Sequence, residues 1–228
     1  MALLLSCAAV VAFSAVFKSS IKKYAPFYYG AAFVLVALYL SGVAGMLPAW
    51  LKGGVFLLMQ KATLPMALFF TVMFIGVLPR GSKPRRMLGP VRAELSIMAC
   101  ILVCAHMAAY TMSYVPRVIA SALANPFIAI GLLAAAVLAV LLAVLGVTSL
   151  SRVKNAMKAS VWTKVQKSAY AFYGLIYVHV LAMLLPSALG GGEAALRGVA
   201  AYSAVFVVYA ALRSIRAVLD AKEARRSA

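Results

Sequence analysis

Residues 127–149, FIAIGLLAAAVLAVLLAVLGVTS, run for 23 positions without one charged side chain. As an α-helix that stretch is about 34 Å long, against about 30 Å of hydrocarbon in a bilayer. The stretch therefore reads as a membrane-spanning helix. Working outward from it, six more apolar runs follow the same logic, at 2–17, 27–47, 61–78, 94–115, 168–189 and 196–213. The whole composition agrees: 66% of the 228 residues are hydrophobic and only 11% are charged, where an ordinary soluble domain carries about 25% charged residues. The mean hydropathy is +1.02. These values exclude a soluble globular protein, and they exclude intrinsic disorder, which needs low hydrophobicity. The fold class expected is an all-α integral membrane protein.

Lysine and arginine outnumber aspartate and glutamate 22 to 4, for a formal charge of +18. In a soluble chain that excess would suggest nucleic acid. Here the cations lie between apolar runs, where the positive-inside rule explains them and no nucleic-acid partner is implied. Residues 18–25, 79–93, 150–167 and the segment from Arg213 onward hold 18 of the 22. The opposite connections hold Lys52, Arg117 and Arg197, with Lys61 at a span boundary. The expected arrangement is a multi-pass protein of the cell (inner) membrane, C-terminus cytoplasmic and N-terminus outside. The first run lacks a basic stretch before it and is followed by Lys18, Lys22 and Lys23, which favours a retained helix over a cleaved signal; the count expected is seven spans, or six if the first is removed or lies flat. Residues 48–60 (PAWLKGGVFLLMQ) read either as an interfacial segment, with Trp50 at headgroup level, or as an extension of the third span.

Little of the chain can carry chemistry. The four acids are Glu94, Glu193, Asp220 and Glu223, and none lies deep inside an apolar run. Proton relays and ion transporters place a carboxylate there. Cys7, Cys100 and Cys104 form no metal or disulfide framework and read as packing residues. The chain has neither a G-x-G-x-x-G nor a Walker motif, and Gly190–Gly192 reads as a turn.

The two histidines are both intramembrane, and polar residues at such depth are functional candidates. His106 lies 12 residues beyond Glu94 and His179 lies 11 beyond Ser168. At 1.5 Å per residue these are depths of about 18 and 16–17 Å from the same side. Two imidazoles at one level on two helices are what a bis-histidine haem needs, and helix bundles build cofactor sites from facing side chains. Ala105, Ala108, Ala109, Gly174 and Ala182 leave room nearby, although small residues also serve close helix packing. The alternative for the pair is a hydrogen bond across helices with no cofactor. Zinc would need three or four ligands.

Residues 92–110 (RAELSIMACILVCAHMAAY) resemble the third core helix of the ferric-reductase-like transmembrane domain family. Residues 162–179 (WTKVQKSAYAFYGLIYVH) are similar to that family's W-x-x-x-H-x-x-x-Y-(x)8-H helix. Further likeness lies in Pro65-Met66-Ala67-Leu68 through Pro79, in Thr148-Ser149, and in the His106-to-His179 spacing. Over roughly residues 27–213 the resemblance is nearest to the haem-binding membrane subunit of the bacterial periplasmic methionine sulfoxide reductase system. It implies a six-helix haem-binding core over residues 26–213. Residues 1–25 would then be an extra N-terminal transmembrane helix with its basic loop, and 214–228 a short basic cytoplasmic tail. The implied cofactor is haem b, between the helices carrying His106 and His179. Many members hold a second, inner haem. This chain has Arg92 and Gln166 where its ligands would stand, so one haem is expected. The vacated inner pocket, lined by Arg92, Trp162, Gln166 and Tyr170, would accept a quinone or a flavin (FMN) headgroup; the alternative is that Arg92 faces the cytoplasm and Trp162 and Tyr170 are interface-belt residues.

Two axial histidines leave no open iron site, which argues for electron transfer and not catalysis at the metal. The function expected is a membrane cytochrome b subunit with no catalytic domain of its own. Electrons from quinol or a cytosolic flavin reductase would pass through one haem to an extracytoplasmic reductase. The candidate docking segments are 48–60, 116–126 and 190–197. The alternatives are a ferric reductase acting on extracellular iron, and a non-redox transporter or scaffold, which would leave the paired histidines without a role.

Overall fold

The computed structural model describes residues 2–79, 81–116, 119 and 125–226, and among these it is helical with no strand. Two compact units, Met1–Pro116 and Arg117–Ala228, divide the chain.

In the first unit, α1 (Ala2–Val16) leads after one residue into a short basic helix, α2 (Lys18–Lys23), and then into α3 (Ala25–Leu40). A 3-10 turn (Val43–Met46) follows, then α4 (Ala49–Val55), which runs into a π-helical turn over Phe56–Gln60. The chain breaks at Ala62 and resumes as α5 (Thr63–Val77). A basic helix, α6 (Lys83–Leu88), and a 3-10 turn (Gly89–Val91) lead to α7 (Arg92–Ser113). α7 packs against both α3 and α5, and α1 packs on α5. Leu95, Met98, Ala99, Leu102 and Ala105 form its buried stripe, with the spacing of one helix face. His106 and Ala109 continue that stripe. Two buried hydroxyls are satisfied inside their own helices: Ser14 Oγ donates to the Val10 carbonyl and Thr71 Oγ1 to that of Ala67.

In the second unit, α8 (Pro126–Ser149) begins with the Asn125 side chain accepting from the Phe127 N–H. A basic helix, α9 (Ser151–Ala156), turns the chain into α10 (Ala159–Leu189), and Gly190–Gly192 turn it again into α11 (Glu193–Arg226). α10 lies between α8 and α11. Its contact with α11 is a ring cluster: Tyr173 lies 4.5 Å from Phe206 and 4.6 Å from Tyr209, and Tyr177 lies 4.8 Å from Phe206. Gly131 allows α8 and α10 to approach. A Cβ there would run into the Met183 methyl and stand 3.4 Å from the Ala182 Cβ.

All seven expected apolar segments are helical, and the protein is an all-α integral membrane protein. Four helical stretches among the described residues are long and apolar enough to span a membrane: Lys83–Met112, Pro126–Ser149, Ala159–Leu189 and Glu193–Glu223. The bent pair Ala49–Gln60 and Thr63–Val77, whose axes differ by 47°, makes a fifth only when the two are counted as one span. α1 and α3 are shorter, at 15 and 16 residues. Residues 49–60 form a helix of their own, set off from α5 by the break at Ala62. The second span, expected at 27–47, stops at Leu40 because the chain turns through Gly42, whose φ of 82° is left-handed. The helices expected at 168–189 and 196–213 reach further, starting at Ala159 and ending at Arg226. Their added turns carry the charges that hydropathy alone reads as loop. Large side chains such as Leu5, Phe33, Leu133, Val140 and Val207 stand more than 60% exposed (Leu133 and Val140 are on α8, a helix apolar all round), the surface of a chain whose solvent is lipid.

Candidate functional site

Each unit presents one histidine in the same local manner. In the first, α5 and α7 form an antiparallel pair joined by the basic α6 turn. His106, late in α7, brings its Nδ1 to 2.6 Å from the backbone carbonyl of Gln60. Gln60 ends the π-helical turn, where the last carbonyls of a helix lack intrahelical donors. The break that follows uses a left-handed Ala62 (φ 55°), and Pro65, three residues on, has no N–H to offer back. Gln60 is held in turn: the Tyr39 hydroxyl of α3 donates to its Oε1 at 2.6 Å. The Tyr110 ring lies 4.7 Å from the His106 ring, one turn along α7.

In the second unit, α8 and α10 form the corresponding antiparallel pair, joined by the basic α9 turn. His179, late in α10, brings its Nδ1 to 2.9 Å from the carbonyl of Gly131, early in α8. Both histidines are half-buried, and both lie in the half of their helix pair remote from the basic turn. The chemistry of this arrangement is definite. A carbonyl can only accept, so Nδ1 must carry the proton and the neutral ring has its lone pair on Nε2. That tautomer, with a carbonyl behind the ring, is how proteins prepare an imidazole to bind a metal through Nε2.

The residues assigned to an inner pocket are distributed differently. Trp162 Nε1 donates to the Thr148 carbonyl and Gln166 Nε2 to the Thr148 hydroxyl, each at 3.0 Å. Lys154 stands 4.8 Å over the Trp162 ring. Trp162 and Gln166 thus converge on the last turn of α8. Tyr170 is half exposed and lies under the Arg213 guanidinium of α11, 4.9 Å away. Arg92 is exposed at the start of α7, in the other unit. Of the docking segments, 48–60 is helix up to Gln60 and 190–197 is the turn into α11, whereas most of 116–126 lies outside the described residues. Among the described residues, no three His, Cys, Asp or Glu side chains group as metal ligands; a bis-histidine haem asks for only two.

Sequence reading missed the two carbonyls that hold the histidines, because any residue supplies a carbonyl. It also missed the ion pair between Lys22 and Glu94 (2.6 Å), which joins α2 to the first turn of α7.

The chain is 37% identical over 226 residues to an uncharacterized protein of Treponema pallidum (strain Nichols), a match over 96% of this chain and 61% of that protein. It therefore spans somewhat under two thirds of the relative's length. No solved structure matches it. Residues 56–177 match the family described as ferric reductase like transmembrane component. The match opens in the π-helical turn before α5, contains His106 and stops two residues short of His179. It covers just over half of the chain, in the region where the motifs of the third and fifth core helices were read, and the chain belongs to that ferric-reductase-like transmembrane family.

Proposed function

We propose that this protein is a membrane cytochrome b subunit in which His106 and His179 are the two axial ligands of one haem b. The observation that carries the reading is the matched setting of the two imidazoles, each with Nδ1 on a backbone carbonyl and Nε2 prepared to ligate. When bound, the haem supplies a one-electron iron couple. The chain's own part is to fix each ring's tautomer and angle, through Gln60 and Gly131, and to keep the ligands in an apolar surround that excludes water. Held by one imidazole from each of the two helices, the group would serve to pass electrons between partners. We assign the donor to quinol or a cytosolic flavin reductase at the basic, cytoplasmic side. The acceptor is an extracytoplasmic reductase, as in the methionine sulfoxide reductase system whose membrane subunit this sequence resembles. A quinone or flavin headgroup at Trp162, Gln166 and Tyr170, with Arg92, would serve the donor end. Its arrival would exchange the Gln166–Thr148 hydrogen bond for one to the ligand.

The test is a dithionite-reduced minus oxidised absorption spectrum of the purified protein, with haem quantified per chain. A sharp low-spin b-type signal at one haem per chain is expected. His106→Ala and His179→Ala are each expected to remove the haem while leaving the protein in the membrane. Retention of haem in both single variants overturns the ligand assignment. A well-folded sample that takes up no haem when haem is supplied overturns the cytochrome reading.

A further inference from the structure

Within the first unit, Lys18, Ser19, Lys22, Lys23, Arg86 and Pro90 line a cavity of about 410 Å³. Four of these six residues are cations. Lys22 is engaged by Glu94, whereas Lys18, Lys23 and Arg86 take no acidic partner among the described residues. Three unneutralised cations around one cavity, with the Ser19 hydroxyl among them, ask for a multivalent anion. Rings on both sides of α2 in the chain form a shelf of their own. Phe17, which precedes Lys18, lies 5.2 Å from Phe13, Phe13 lies 6.0 Å from Tyr28, and Tyr28 lies 5.8 Å from Phe27. The Tyr28 hydroxyl donates to Ser20 Oγ at 2.9 Å, fastening the shelf to α2. Phe17 and Phe27 are 45% and 72% exposed. α2 connects two apolar helices, so cavity and shelf occupy the boundary between hydrocarbon and water.

We propose that this cavity binds the phosphate headgroup of an anionic membrane lipid, whose acyl chains run along Phe13, Phe17 and Phe27. The rings decide for a lipid over a soluble phosphate ester. Exposed rings flanking a cationic helix in the chain offer nothing to a free phosphate and match the two-part chemistry of a phospholipid. Basic pockets between helices on the cytoplasmic side of a membrane suit such headgroups, and that is the side proposed here for α2.

The test is native mass spectrometry of the full chain in detergent, titrated separately with phosphatidylglycerol, phosphatidylcholine and glycerol 3-phosphate. One phosphatidylglycerol is expected to bind in preference to the other two. The double variant Lys18→Gln/Arg86→Gln should bind it about thirtyfold more weakly, from the typical attraction of two basic side chains to an anionic lipid. Lys158→Gln/Lys164→Gln, with the same change in charge elsewhere, should stay within about twofold of the parent. Phe17→Ser/Phe27→Ser should weaken the lipid and leave glycerol 3-phosphate unaffected, which keeps the proposal testable should the charge variant fold poorly. Equal binding of the two lipids, equal losses in the two charge variants, or glycerol 3-phosphate binding as tightly as the lipid would each overturn it.

Discussion

Lys22 and Glu94 are partners in unequal surroundings: the lysine side chain is 59% exposed and the glutamate 9%. Water screens the lysine end, so the pair itself contributes about 1 kcal/mol or less. Stranding the carboxylate costs more, about 1–3 kcal/mol for a buried polar group left without its partner. Lys22→Ala should therefore lower the melting temperature clearly, Glu94→Gln should change it little, and the double variant should lie near Glu94→Gln; thermal unfolding of the three in detergent decides. Ala62 presents a second contrast. Its left-handed backbone costs about 1 kcal/mol, which glycine would relieve, while the buried methyl contributes about 0.8 kcal/mol. Ala62→Gly is thus expected near neutral. Ala62→Val forces a β-branched residue into that conformation and should both destabilise the protein and lower its haem content, because the Gln60 carbonyl sits at the same break. The histidines themselves stand out in the sequence because they are the only two and both lie within apolar runs. Their carbonyl partners could not, since a backbone acceptor has no residue-type signature.

At the scale of elements, apolar length marked where every long helix lies and misjudged where several end. α10 was expected from residue 168 and starts at Ala159: Lys164 and Lys167 interrupt the hydropathy but are good helix formers. The bend at Ala62 was equally hidden, because residues 48–60 are apolar whether or not they continue the span. The α8–α10 contact makes the most direct prediction. In Gly131→Ala the new methyl meets the flexible end of Met183, which can swing aside. That variant should keep the proposed haem and its reduced spectrum. Gly131→Leu cannot be absorbed so easily; it must push α10 away from α8 and take the Gly131 carbonyl off His179. Haem loss or a broadened reduced band in that variant, set against the alanine variant, is the expected reading. A normal spectrum in Gly131→Leu would separate the carbonyl from ligand positioning.

For the whole molecule the charge distribution makes the claim that is simplest to check. A green fluorescent protein fused to the C-terminus should fluoresce and an alkaline phosphatase fused there should be inactive, whereas phosphatase inserted at Gly190–Gly192 should be active. The reverse pattern would invert the proposed topology and the sides assigned to donor and acceptor. α11 gives that end a further property. Its 34 residues amount to about 51 Å of helix, some 20 Å more than the hydrocarbon is thick. Past Arg213 the helix is clamped by Arg216, itself 6% exposed, which reaches Asp220 at 2.7 Å and Glu223 at 3.5 Å. Such a helix stays a stiff rod in its last turns, so its residues keep set distances from one another where a floppy tail would let them wander.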